Sequence, residues 1–424
     1  MPIHRSPTAI SGSATTSVPH LQPGTLKTTV VPLRIRPHFP PYPPLRSSRS
    51  LLGVLCVPFF ACSNSPTLTV HQPPQPFPVS SKEMQIEQDH PLAPHTTLRI
   101  GGSARYFARI LTEAELLEAI HFARTHSLPI YPLGGGSNLV IPDEGYPGLV
   151  LHMTLEDNAG RINAGTDWDA FVHETCRQGI SGMECLAGIP GLIGGSPIQN
   201  IGAYGQEVAT TIRNVHALDL HTLAFVDIPH TACGFSYRTS IFNSTQRNRY
   251  LITRVDFSFD PRATPNLSYA DLAPLRGTNP TPLDVYHAVR TIRDRKAMVI
   301  HPGVANPDTR SAGSFFKNPV VPTETLTHVA QTLSIPAEKI PHWPATEGQT
   351  KLPAAWLIEQ AGFPRGFALS TDAPAAISTR HTLALTNRSG TATCADLLAL
   401  RDHIIEGVRT RFHITLEQEP VFLR

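Results

Sequence analysis

The stretch AGIPGLIGGSPIQNIGAYGQEV, residues 187–208, decides how the rest of the chain is read. Six of its 22 residues are glycine (188, 191, 194, 195, 202 and 205), and Pro190 and Pro197 break any helical or strand period. Glycine lets backbone approach a ligand closely. The uncharged side chains of Ser196, Gln199, Asn200 and Tyr204 are suited to pairing with the edges of a polar ring system. A run of this length without secondary structure of its own is usually functional. The expectation is a backbone wrapped around a polar, planar ligand.

Upstream, LGGGSNLVI (133–141) sets Gly134, Gly135, Gly136, Ser137 and Asn138 between two apolar runs. Successive backbone N–H groups in such a turn form an anion-binding nest suited to a diphosphate. The text is neither GxGxxG nor GxxxxGK[ST], so neither a Rossmann unit nor a P-loop is indicated. Around these loops, helical and strand patterns interleave. Helices are predicted over 112–127 with Thr112 as N-cap, and over 167–181, 281–300, 323–335 and 393–412. LPIYPL, GYPGLVLHM, YLITRVDFSF and TLALTNRSG read as strands between them. The fold class is α+β.

The chain has 424 residues, enough for two or three domains. Its net charge of +2 hides an asymmetry. Residues 1–83 carry seven Lys or Arg and a single acid, Glu83, leaving 28 bases and 32 acids for the remainder, a net −4. A mildly acidic body lacks the clustered cations a nucleic-acid binder needs. The same 1–83 segment holds 16 of the 41 prolines and reads as a disordered extension. LLGVLCVPFFAC (51–62) starts too late for an export signal and carries Pro58, so Met84 is the expected natural start. No apolar run is long enough to span a bilayer. The six cysteines include no CxxC pair and read as reduced, buried thiols, with no metal site.

From about residue 88 onward the chain resembles the UDP-N-acetylenolpyruvoylglucosamine reductases, the MurB family of peptidoglycan synthesis. The resemblance is carried, in order, by HTTLRIGGSARYF, GGGSNLV, LAGIPGLIGGSPIQNIGAYGQEV, FSYRTSIF, GSFFKNPVV, KLPAAWLIEQAGF and LEQEPVFL. It implies a two-lobe FAD-binding domain of the PCMH/VAO type plus a smaller α+β substrate-binding domain. The first lobe would be 84–152 with 412–424, the second 153–300, and the substrate domain 301–411. FAD would be held non-covalently by Gly134 to Asn138 and by Gly188, Pro190, Gly191, Gly195, Gln199, Asn200, Gly202 and Ala203. NADPH would be the cosubstrate and UDP-N-acetylglucosamine enolpyruvate the substrate. The setting would be cytoplasmic and the working expectation for assembly a monomer, with no nucleic-acid or membrane partner.

Such a reaction adds hydride to the terminal carbon of a double bond conjugated to a carboxylate. It needs a cation at that carboxylate, an acid for the adjacent carbon, and a dry pocket. The resemblance makes Arg238 the carboxylate partner, a role that suits a planar guanidinium. It makes Ser314 the proton donor, although SAGSFFKNP (311–319) taken alone reads as a turn. It favours Glu419 over Glu417 in LEQEPVFL, a choice that strand geometry does not make. Tyr237, Tyr269, Lys296, Asn318 and Gln360 would contact substrate, with Tyr269 marking the subtype that carries an extra loop over the site. Many members have KLPDP where this chain has HPGVANPD (301–308), so Lys296 and His301 both stand as partners for the substrate diphosphate. An oxidase of the same flavin fold is the competing enzyme class; its relatives attach flavin through histidine or cysteine, and neither glycine loop holds one. A non-catalytic envelope protein would rest on the proline tract and LLGVLCVPFFAC alone.

Overall fold

The computed structural model describes residues 69–70, 84–156 and 162–424. The proline-rich extension, LLGVLCVPFFAC and the choice of Met84 as start concern residues that lie outside this set, apart from Thr69–Val70. Those two pair antiparallel with Asp227 and Val226.

The first lobe is a four-stranded sheet in the order Ile86–Pro91, Ser103–Ile110, Tyr146–Met153, Ile130–Leu133. The last three strands are parallel, because helix α1 (Glu113–Thr125) crosses between two of them. Thr112 opens α1 with a reciprocal capping box to Glu115, which fixes where strand gives way to helix. Successive side chains of a strand alternate in direction. Ala108, Ile110, Leu149 and Leu151 therefore meet Leu116 and Ile120 of α1 on one face. Phe107, Leu133 and Val150 face Leu92, Ile141 and Leu423 on the other. Gly134–Asn138 leave the carboxyl end of a parallel strand, where ligands of α/β sheets bind.

The second lobe is antiparallel. Strands Ile212–Asp219, Ala224–Pro229 and Tyr250–Phe257 pack against α2 (Trp168–Arg177) and α3 (Pro282–Arg295). Trp168, Val172, Ile193, Val215, Val285 and Val289 share its core. Helix α3 ends short of the predicted residue 300, because Ala297 turns the chain with φ +52°. The segment 187–208 is not structureless. It forms a 3₁₀ turn at Ile193–Gly195 and a tight hairpin pairing Gly202–Ala203 with Gln206–Glu207. The hairpin's two central residues, Tyr204 and Gly205, have φ +49° and +80°, as such two-residue turns require.

Beneath this hairpin lies Glu184, a carboxylate with 0% exposure. It accepts the N–H groups of Gly182 and Met183 and, on its other oxygen, the Gln206 amide at 2.9 Å and the Asn266 N–H at 2.8 Å. It thus ties the glycine segment to the loop that carries Tyr269. Glu184→Ala would leave these donors buried and unpaired. The expected loss is about 2 to 3 kcal/mol of stability, read as a lowered urea midpoint with an unchanged slope. A midpoint equal to wild type would remove Glu184 from the scaffold.

The third lobe holds α4 (Thr325–Leu333), α5 (Ala354–Gln360) and α6 (Cys394–Phe412). With them are a three-stranded sheet, Val320–Pro322, Gln349–Lys351 and Trp343–Pro344, and a pair, Ala375–Ile377 with Leu385–Asn387. Its core centres on Phe315, Phe316, Leu357, Leu400 and Phe412 and takes in Leu98, Ile100 and Val140 from the first lobe. Phe412, Ile414 and Leu416 also belong to this core. Val421–Phe422 then lie parallel to Leu139–Val140. Among the described residues no helix is long and apolar enough to cross a membrane. Cys176, Cys185, Cys233 and Cys394 are free and buried, and burial pushes the first three thiols up to about 12, so they are unreactive packing groups.

Candidate active site

The two glycine segments form one cradle. The Ser137 hydroxyl donates to Pro190 O at 2.7 Å, and the Asn138 amide donates to Gln199 Oε1 at 2.9 Å. Gly135 lies so close to Gly191 that a Cβ would stand 2.7 Å from its Cα. At Gly136, with φ +61°, a Cβ would meet His95 O at 1.9 Å, so only glycine fits. No protein acceptor among the described residues takes the backbone N–H groups of Gly134 to Asn138. Side chains added at Gly134 or Gly195 would meet nothing within 4 Å. Ser196 Oγ is buried and unpartnered. A row of free amides, open space over two glycines and an orphaned hydroxyl fit a dinucleotide's phosphates and ring edges. Asn200, expected among the cofactor contacts, is buried and its side chain has protein partners. Its amide donates to Glu207 and to Ser236 O, and its oxygen accepts the Ala209 N–H.

Ser236 opens the turn that carries Arg238. Arg238 adopts φ +54°, a left-handed conformation that a non-glycine residue takes at a cost. Its Nη2 donates to Gly202 O at 2.8 Å, and its Nε stands 3.2 Å from Glu419 Oε1. That contact is ionic but out of line, so the buried Nε–H makes no hydrogen bond. Burial holds the Glu419 carboxyl above the usual carboxylate range, against the pull of Arg238 and Lys317. The side chain of Glu417 is 76% exposed and pairs with Lys317 at 3.4 Å, so structure separates two acids that their spacing did not.

The Ser314 segment reaches this pair by backbone pairing. The Glu419 N–H donates to Phe315 O at 2.9 Å, the Lys317 N–H donates to Glu417 O, and Phe316 bridges Gln418. Ser314 is half-buried, and its hydroxyl has no partner among the described residues. Phe315 and Phe316, at 0% and 1% exposure, anchor the segment in the third core. Thr97 fastens its start from the first lobe, donating through Oγ1 to Ser311 O at 2.6 Å while its N–H binds Gly136 O. Thr97 escaped sequence reading because HTTLRIGG offers no chemistry of its own, only a position.

The remaining expected contacts divide. Tyr269 meets Tyr204 edge-on, with ring centroids 5.0 Å apart, and the Lys296 ammonium stands 5.5 Å over Tyr204. His301 is bound to Asp294 at 2.7 Å on the α3 side. Asn318 spends its oxygen on the Ala354 N–H, capping α5, which Pro353 leaves without a side-chain cap of its own. Gln360 ends that helix, roughly 9 Å along its axis from the capped end, and makes no hydrogen bond to Arg238, Glu419 or Tyr237. Lys351, not singled out from sequence, places its ammonium 4.6 Å over the Tyr237 ring.

Residues 104–224 match the family model described as FAD binding domain, and residues 306–423 match that of the UDP-N-acetylenolpyruvoylglucosamine reductase C-terminal domain. A Thermobifida fusca protein named UDP-N-acetylenolpyruvoylglucosamine reductase is 42% identical over 351 residues, covering 78% of this chain and 96% of its own. A Burkholderia vietnamiensis protein of that name is 41% identical over 368 residues, covering 82% and 100%. The crystal structure of the reductase from Thermus caldophilus superposes with a TM-score of 0.55 at 27% identity, over 80% of this chain and all of that one. With two flavin-cradle segments, a buried arginine–glutamate pair and relatives matched over nearly their whole length, the chain belongs to the UDP-N-acetylenolpyruvoylglucosamine reductase family.

Proposed function

We propose that this chain uses NADPH to reduce the enolpyruvyl group of UDP-N-acetylglucosamine enolpyruvate to UDP-N-acetylmuramate, a cytoplasmic step of peptidoglycan synthesis, acting as a monomer. The observation that carries the proposal is the convergence of Arg238, Glu419 and the Ser314 segment, drawn from three lobes, beside one glycine cradle. FAD, bound by the two glycine segments, supplies the hydride relay from NADPH to the terminal vinyl carbon. Arg238 neutralises the charge that then builds on the substrate carboxylate. Ser314 delivers a proton to the adjacent carbon from a hydroxyl left unengaged for that purpose. Burial shifts Glu419 toward its neutral form, which lessens the charge it sets against the substrate carboxylate. Of the two candidates for the diphosphate, both already face a carboxylate, Lys296 at 3.4 Å from Asp271 and His301 at 2.7 Å from Asp294, and Lys296 is supported by its place over the Tyr204 ring. Asn318 keeps its amide N–H₂ group for the substrate while its oxygen caps α5.

The test is NADPH consumption by the flavin-loaded protein with and without the enolpyruvyl substrate. Turnover that requires the substrate supports the proposal; equal consumption without it points to the oxidase class. Gly195→Val probes the cradle separately. Nothing in the protein obstructs a side chain there, so the melting temperature of the flavin-free form should hold while flavin content of the purified protein falls several-fold. Full flavin content would place the ligand elsewhere.

A further inference from the structure

We infer that Lys351 is a positioning residue, which from the third lobe holds the Tyr237 ring, and through that ring the Arg238 guanidinium, in the arrangement the reaction uses. The inference rests on the reductase reading. Lys351 ends the strand Gln349–Lys351, in register with Val320 on one side and Trp343 on the other. Its Nζ stands 4.6 Å from the Tyr237 ring centroid, and the Arg238 Cζ stands 5.6 Å from the same centroid. Among the described residues Lys351 has no carboxylate partner. Two cations close to one ring repel each other, and the negative ring faces are what draw both in. Tyr237 is 44% exposed, so packing alone does not set its orientation.

The connection to Ser314 is short and covalent. Residues 314–318 run directly into Val320, the register partner of Lys351, and Leu352 N–H donates to Pro319 O at 3.0 Å. Ser314 therefore lies on the segment that leads into the strand adjoining that of Lys351, in one lobe, while Tyr237 and Arg238 belong to another. The ammonium–ring contact ties arrival of the serine to placement of the arginine.

The test is rapid mixing of the flavin-loaded enzyme. A half-exposed cation–ring contact falls between the exposed and the desolvated cases, enough to change a rate about tenfold. Lys351→Met should slow oxidation of the NADPH-reduced enzyme by saturating enolpyruvyl substrate about tenfold, with flavin reduction by NADPH unchanged, and Lys351→Arg should restore most of the loss. In a Tyr237→Leu background Lys351→Met should add little. Lys351→Gln repeats the measurement should the methionine variant fold poorly. An unchanged rate in the neutral variants would overturn the inference. So would a fully additive loss in the Tyr237→Leu background, or a rise confined to the KM for NADPH and substrate, which marks a direct phosphate contact. A wild-type enzyme that the enolpyruvyl substrate fails to oxidise would instead overturn the reductase reading itself.

Discussion

Ser314→Ala should leave the reduction of bound flavin by NADPH near its wild-type rate and slow the following oxidation by enolpyruvyl substrate roughly a thousandfold, the span of a lost general acid. The substitution removes one unpartnered oxygen from a half-buried position, so the expected change in stability is within about 0.5 kcal/mol. Phe315 and Phe316 keep the backbone in the third core, and the Glu419 N–H still finds Phe315 O. Geometry is thus preserved while the proton is lost, which is what makes the asymmetry between the half-reactions diagnostic. Rapid-mixing traces of the two half-reactions read it directly. Equal slowing of both would make Ser314 a turn residue, the reading that SAGSFFKNP invites when taken by itself.

Much of the fold was legible because local chemistry and global structure agree. Thr112, Thr281 and Thr393 sit where their helices start, each with a reciprocal acid three residues on. Helix α5 was hidden because Pro353 replaces the usual capping side chain and the cap comes from Asn318, 36 residues away. In the site, Arg238 and Glu419 were legible as residue types with the right chemistry. Their meeting at 3.2 Å was not, since 181 positions separate them and the turn before Arg238 depends on Asn200 holding Ser236 O. The difference between Glu417 and Glu419 lies in tertiary structure alone: buried and exposed positions alternate from Phe412 to Glu417 and the alternation stops there. Thr97 and Lys351 act by place in the fold, so no sequence pattern marks them.

Arg238→Ala should lower turnover by roughly a hundredfold to a thousandfold, the cost of removing a preorganised charge from a developing anion, and should leave a trace in stability against pH. Glu419 has its folded-state pKa raised above its ordinary 4.5 by burial, with Arg238 the largest opposing influence. A raised carboxyl favours the fold while it is protonated, and this contribution is present below 4.5 and lost as pH rises through the folded value. Without Arg238 the folded pKa climbs further, so ionising Glu419 costs more and the loss extends to higher pH. Melting temperature measured from about pH 4.5 upward should therefore fall more steeply in Arg238→Ala than in wild type. Adding Glu419→Gln should remove the extra slope, because a neutral amide has nothing to ionise. Loss of the contact from Arg238 to Gly202 O is independent of pH, so it lowers the Arg238→Ala curve uniformly without changing its slope. Parallel curves for wild type and Arg238→Ala would mean that the guanidinium does not tune Glu419, and the arginine would then be left with the substrate carboxylate as its only charge to manage.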